Sequence, residues 1–312
     1  MKRGFLLGKK ASSTAPAQTA PSKEATTSAN PIQPLTLPPT TSFATAPVES
    51  STLHWSFYPT SSSPELALHA TTRTVTALLS TPYFSSPSPP PLPAFTPLFS
   101  IVNLPGKGKS VLATADLAAD SLVLLDRPLL VYAPEALPRT HTNAVLSHAL
   151  SRLAPAQQAQ FLALSNCFPV SSEGAYLGRA ETNALPVVSL DDLPPSAAPA
   201  DEVTYSGVFP LVARLNHACD ANCRLEFSAQ RWALGVRTTR AVRKGEELCI
   251  SYIVPFQKRR ERMKELRLKW RFECQCGWCS LSDEDSAKRD LEREEKARLF
   301  LQQWDAQAAD RR

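Results

Sequence analysis

Three cysteines fall within six residues, at Cys274, Cys276 and Cys279. With seven cysteines in all, an odd number, this is a poor disulfide framework and a good metal pattern. Thiolates at this density suit zinc, which takes four ligands in a closed structural site at Zn–S distances of about 2.3 Å. Three ligands are local, so a distant segment must supply the fourth. That requirement constrains the fold more than any other feature of the chain. It also implies a reducing compartment, and hence the nucleus and/or the cytoplasm.

The candidates for the fourth ligand are Cys167, Cys219, Cys223, Cys249 and the five histidines. Cys223 and Cys249 lie in alternating apolar segments, where a free cysteine serves as a small core residue. Cys219 lies in the polar stretch Arg214-Leu-Asn-His-Ala-Cys-Asp-Ala-Asn222, from which a side chain can reach out, and it is selected. The same stretch sets two amides and an imidazole between an apolar run and a strand. Such groups are costly to bury without partners. His217 and Cys219 do not read as a nucleophile pair, because no third orienting group accompanies them.

Sixteen of the 28 prolines fall in the first 100 residues. Residues 1–95 therefore read as a disordered Pro/Ser/Thr-rich region. Within it, Ser51 to Thr81 carries enough apolar side chains for a short docking helix. The run Ser85 to Pro93 reads as a spacer of polyproline II character, with a Pro-motif-binding partner as the alternative. The start is basic, with no acid before Glu24. That is compatible with mitochondrial import, although a generic disordered arm is preferred. No apolar run approaches the roughly 20 residues that cross a bilayer.

From Phe99 the chain reads as short strands and tight turns: Phe99–Val102, Val111–Thr114, Ser121–Leu125, then an alternating pair around Cys223–Phe227 and Trp232–Val236. Leu248–Tyr252 reads as a further strand. A helical pair spans about 139–166. Residues 261–269 form a basic helix, and 281–312 a charged terminal helix. The class is mainly β with a helical insert (α+β). Lys258–Arg271 holds eight basic and two acidic residues. A solvated helix face explains it, so direct nucleic-acid binding is not expected.

Three motifs occur in order: Arg214–Asn222, Gly245-Glu-Glu-Leu-Cys-Ile-Ser-Tyr252, and Trp270-x-Phe272-x-Cys274-x-Cys276-x-x-Cys279. Together with Gly106-Lys-Gly-Lys-Ser-Val-Leu-Ala113, they resemble a SET-domain protein-lysine methyltransferase with its post-SET zinc loop. The likeness is to the SMYD-like fungal group, without the paired Cys/His zinc module (MYND). The resemblance implies a knotted β fold, with a SET domain over 96–272 and a zinc loop over 273–280. It implies S-adenosylmethionine and zinc as cofactors, and a histone or non-histone lysine as substrate.

By the same resemblance, Lys107, Gly108 and Lys109 hold the cofactor's methionine end. Asn216 and His217 bind it further along, Phe272 packs on the adenine, and Tyr252 is the catalytic tyrosine and also contacts the cofactor. Cys219, Cys274, Cys276 and Cys279 hold the metal. The pattern departs at Ser110, Ala218 and Ala221, where the family usually has Gly, Ser and Pro. Ser110 is expected either to stiffen the methionine turn or to obstruct it. The alternative to an enzyme is a catalytically silent SET module acting as an interaction scaffold.

Overall fold

The computed structural model describes residues 53–60, 63–86, 90–93, 97–138, 140–187, 203–228, 231–254 and 256–310. The expectations for residues 1–52, including disorder and the import signal, lie outside the described residues. So does most of the proline-rich run before Pro90.

The chain enters with two antiparallel strands, β1 (Leu53–Tyr58) and β2 (Leu66–Thr71). Helices α1 (Thr72–Leu78) and α2 (Pro82–Ser85) follow. Thr71 caps α1 by accepting from the Thr74 amide at 3.1 Å. This corrects the expectation of disorder up to residue 95, and of no more than a short helix within it. Leu66, Leu68, Leu78, Tyr83 and Phe84 are buried in one cluster with Trp232. Each large side chain removed from water contributes about 2 kcal/mol. That concentration offsets the chain entropy that the surrounding Ser, Thr and Pro alone would not.

The hairpin β3 (Phe99–Leu104) and β4 (Gly108–Ala113) turns at Gly106 and Gly108, whose φ values of 78° and 72° favour glycine. β5 (Leu122–Asp126) and β6 (Leu130–Tyr132) follow. The insert then contains α3 (Thr142–Ser151), α4 (Pro155–Leu162) and α5 (Val170–Asn183). It therefore runs past residue 166, where the apolar periodicity fades. α5 breaks at Gly174, φ 78°. The Asn143 carboxamide occupies the space beside that glycine and accepts from the Tyr176 and Leu177 amides. One side chain thus caps the second half of α5 and leaves no room for a Cβ.

β7 (Ala184–Val187) and β8 (Tyr205–Val208) complete a five-stranded sheet in the order β1-β2-β6-β8-β7. β9 is two residues long (Asn216–His217). β10 (Cys223–Ser228) and β11 (Ala233–Thr238) pair in the expected alternating register, Leu225 opposite Val236 and Phe227 opposite Leu234. β5 joins β11 to make a three-stranded sheet. β12, shortened to Cys249–Ile250, pairs in parallel with β9. α6 (Arg259–Trp270) ends at Arg271, whose φ of 60° turns the chain into the cysteine loop. α7 spans Asp283–Asp310. Among the described residues, no helix is long and apolar enough to cross a membrane.

Candidate active site

The β9–β12 pair lies where two distant segments meet, and Asn222 fastens them. Its Nδ2 donates to the Glu247 carbonyl at 2.8 Å, and its Oδ1 accepts from the Cys249 amide at 2.8 Å. This carboxamide is buried and satisfied on both ends. Just upstream, the buried Asp126 carboxylate accepts from the Leu211 and Val212 amides at 2.6 and 2.9 Å. It thereby fixes the 3-10 turn Val212–Arg214 that delivers Asn216. Burial pushes its pKa up to about 7, against the pull of those backbone donors.

A cleft of about 1200 Å³ opens beside this junction. Lys107, Lys109, Asn216, His217, Tyr252 and Phe272 all line it, as do Arg214, Cys167 and Trp270. Gly108 sits at the hairpin tip beside them. The sequence-predicted residues around the cleft therefore come together, from five separate elements and turns.

Asn216 Nδ2 lies 2.8 Å from Ser110 Oγ, 2.9 Å from Glu247 Oε1 and 3.2 Å from the Lys109 carbonyl. Ser110 is fully buried. Its hydroxyl accepts from the Asn216 carboxamide, which holds it inside the protein. Glu247 had no role in the sequence reading. It also takes the Lys107 ammonium at 2.6 Å. Burial raises the Glu247 pKa, but the hydrogen bonds from Lys107, Asn216 and Ser110 outweigh this and hold it below the usual range. The Lys107 pKa rises in turn, chiefly through that same hydrogen bond. The Glu-Glu pair between Gly245 and Leu248 was visible in the motif, but nothing local distinguishes its second member from a surface acid.

On the other side, Tyr252 donates its hydroxyl to the Leu215 carbonyl at 2.6 Å. Desolvation raises its pKa well above the usual tyrosine value, so the phenol stays neutral. It can donate and orient but cannot serve as a base. His217 Nδ1 accepts from the Tyr252 amide at 3.0 Å. A neutral ring then carries its proton on Nε2, which faces Cys219 Sγ at 3.3 Å. Desolvation lowers the His217 pKa to about 4, so the ring is neutral near pH 7. Its side chain points into the protein. The Phe272 ring lies 6.1 Å from it, and Trp270 lies 5.2 Å from Tyr252.

The sulfurs of Cys219, Cys274, Cys276 and Cys279 lie within 4.8 Å of one another. Cys219 and Cys279 are 3.5 Å apart. A tetrahedral site with Zn–S near 2.3 Å has sulfur separations of about 3.8 Å, so the donor set and its spacing fit zinc. Mutual hydrogen bonding divides the thiols: Cys276 is pushed down by Cys219, Cys274 and Cys279, and Cys219 is pushed up by the other three. Cys223 and Cys249 stay in the core, 4% and 8% exposed, outside the cluster.

Comparison with known proteins follows the same lines. Residues 108–253 match the model of the SET domain. Over 207 residues the chain is 28% identical to the histone-lysine N-methyltransferase set5 of Schizosaccharomyces pombe, covering 66% of this chain and 58% of that protein. It is 39% identical over 80 residues to the Homo sapiens histone-lysine N-methyltransferase SMYD3, covering 26% of this chain and 18% of that protein. The Mus musculus protein-lysine N-trimethyltransferase SMYD5 is 35% identical over 83 residues, 26% of this chain and 20% of that protein. The chain thus spans less than two thirds of the length of these relatives.

Proposed function

A SET domain occupies residues 108–253, and on that premise we propose that the chain is an S-adenosylmethionine-dependent protein-lysine N-methyltransferase. The observation that carries this reading is the single cleft that joins the Lys107–Asn216–Glu247 network to the neutral Tyr252 hydroxyl. When bound, S-adenosylmethionine supplies an electrophilic methyl group on a sulfonium.

The chain's own residues fit that ligand. The Gly106 turn leaves its backbone open, with nothing within 4 Å of the place a Cβ would take. Lys107 and Lys109 offer positive charge to a carboxylate there. Asn216 presents its carboxamide to the cleft from the same end. Phe272 offers a half-buried ring face to a purine. The inward turn of the His217 ring leaves its main chain as the part that faces a ligand.

Methyl transfer to an amine is an in-line displacement that depends on alignment and exclusion of water more than on acid–base work. Tyr252 orients the incoming amine, together with the Leu215 carbonyl it holds. The apolar walls from Ile250, Trp270 and Phe272 favour the neutral amine over an ammonium whose free pKa is about 10.4. The substrate is a protein lysine. The relatives' names favour a histone and work in the nucleus or cytoplasm. Cys219, Cys274, Cys276 and Cys279 hold a structural zinc that closes one wall of the cleft.

The test is calorimetric titration of zinc-loaded protein with S-adenosylmethionine, followed by methyl-label transfer to histones and to cell extract. Binding with label on a protein lysine is expected. No binding by folded, metal-loaded protein overturns the enzyme reading.

A further inference from the structure

Arg214 is only 9% exposed, yet it lines the cleft. Arginine stays charged inside a protein, and a buried charge is costly unless it is opposed. Its Nη1 donates to the Ala163 carbonyl at 3.1 Å. Ala163 caps the C-terminus of α4, where the helix dipole leaves about half a negative charge. That opposes the guanidinium only in part. Burial lowers the Arg214 pKa, with no carboxylate among the described residues to oppose the shift. Nε and Nη2 make no hydrogen bond among the described residues, and neither is sealed from solvent. The cleft is the space they open onto.

The corner around Arg214 is held rigidly. Two residues beyond Ala163, the Ser165 carbonyl accepts from Asn183 Nδ2 at 2.7 Å. Next to Asn183, the Thr182 carbonyl accepts from Trp270 Nε1 at 3.2 Å. Trp270 in turn lies 5.2 Å from Tyr252. The other charges on the wall are already answered or lie elsewhere. Lys269 is paired with Glu265 at 2.6 Å, and Glu273, the acid among the described residues lining the cleft, with Arg267 at 2.7 Å. Lys107 and Lys109 belong to the hairpin tip. Arg214 also adjoins the reacting centre, because the next residue's carbonyl, that of Leu215, accepts from the Tyr252 hydroxyl at 2.6 Å. Adjacent α-carbons are about 3.8 Å apart, and an extended peptide advances about 3.3 Å per residue. A side chain one or two residues from a lysine held at Tyr252 therefore comes within reach of the guanidinium.

We propose that Arg214 is a specificity-determining residue for the substrate, and that it receives the carboxylate of an aspartate or glutamate one or two residues from the target lysine. A planar fork with free N–H groups matches a carboxylate in two parallel hydrogen bonds. In a half-enclosed site such a pair is stronger than on open surface. It also opposes a charge that the free protein leaves half answered. A neutral neighbour gains none of this, and a basic neighbour is repelled. The inference rests on reading the chain as a protein-lysine methyltransferase and goes beyond it, by naming the sequence context of the target lysine.

The test uses the full, zinc-loaded chain and synthetic peptides with one central lysine. Each flanking position in turn carries Glu, Gln or Arg in an otherwise uncharged sequence, and methyl transfer from labelled S-adenosylmethionine gives kcat/KM. A charge-assisted hydrogen bond is strong enough for an effect of about 10-fold or more. At a position within two residues of the lysine, Glu should therefore raise kcat/KM at least about 10-fold over Gln, mainly through KM, and Arg should lower it. R214Q should lose that preference. R214E should invert it, favouring Arg over Glu at the same position, which a merely structural role would not produce. R214K should retain part of it. Calorimetry should find the S-adenosylmethionine affinity of R214Q within about threefold of the wild type. Equal rates for Glu, Gln and Arg at every position in the wild type, which needs no variant to fold, overturn the inference alone. So does a preference for Glu that persists in R214Q, or a folded R214Q that has lost cofactor affinity, since the guanidinium would then serve the cofactor. A wild type that labels no peptide, no histone and no protein of a cell extract overturns the enzyme reading, and the inference with it.

Discussion

Tyr252 and Lys107 face the same cleft from walls built by opposite means. Behind Tyr252 stand His217, Trp270, Phe272 and four cysteines, an apolar wall whose polar atoms each have fixed partners. Behind Lys107 stands a hairpin tip whose contacts to the rest of the site are hydrogen bonds and an ion pair, with the Lys107 side chain 55% exposed. A buried wall fails all at once when a partner is removed, whereas an exposed one loosens by degrees. The first wall should therefore respond to mutation through folding and turnover, and the second through affinity.

The hardest test of that contrast is C276S. It should reduce zinc to well under one per chain by elemental analysis and lower the thermal midpoint by about 10 °C or more. An unchanged metal content would remove the cluster from the first wall. Y252F comes next. Turnover should fall by at least about 100-fold while calorimetry finds cofactor affinity within about threefold, because the role proposed for the hydroxyl is to align the amine and not the cofactor. Full turnover in Y252F would show that the wall only shapes the cleft.

On the exposed side, E247Q should weaken cofactor binding by about threefold to tenfold. The weakening should shrink as salt is raised, since the network loses the charge that Lys107 answers. A complete loss of fold in E247Q would make the two walls alike.

The smallest effect is a pH dependence beneath both walls. The folded Asp126 carboxyl, raised to about 7, holds a proton that the unfolded chain releases near 3.9. Its contribution to stability is therefore fully present below about pH 4, is lost as pH rises through about 7, and is constant above that. D126N keeps an acceptor for the Leu211 and Val212 amides without the charge. Relative to D126N, the wild type should lose on the order of 5 °C in midpoint between pH 5 and pH 8.

These two walls were not equally legible in the sequence. Cys219 could be matched to Cys274, Cys276 and Cys279 because metal chemistry demands four ligands and strand alternation claimed Cys223 and Cys249. Tyr252 followed from its motif. Glu247 stayed hidden because its partners, Lys107 and Asn216, come from segments far away in the chain, and an acid after a turn looks like any solvated one. The role of Ser110 stayed open between stiffening and obstruction for the same reason: its hydroxyl has a visible partner only once Asn216 lies over it. The strands β1 and β2 were missed because the apolar stretch within Ser51 to Thr81, although noticed, was read as a helix; the strand β6 that completes its pairing follows much later in the chain. Local periodicity found the hairpins and helices. What it missed was set by pairings between remote segments.

The β9–β12 pair has a consequence for how the chain reaches its native state. Only Asn216 and His217 meet Cys249 and Ile250, so the pairing has little strength of its own. It closes a loop of about 30 residues, at an entropic cost that rises slowly with length. The β10–β11 hairpin inside that loop needs local contacts alone and can form early. The junction can close only after its surroundings have condensed, and Asn222 then locks it. Chains released before that moment would show native-like strands and helices by circular dichroism yet bind neither ligand nor metal. Acquisition of binding would then report the last step of folding.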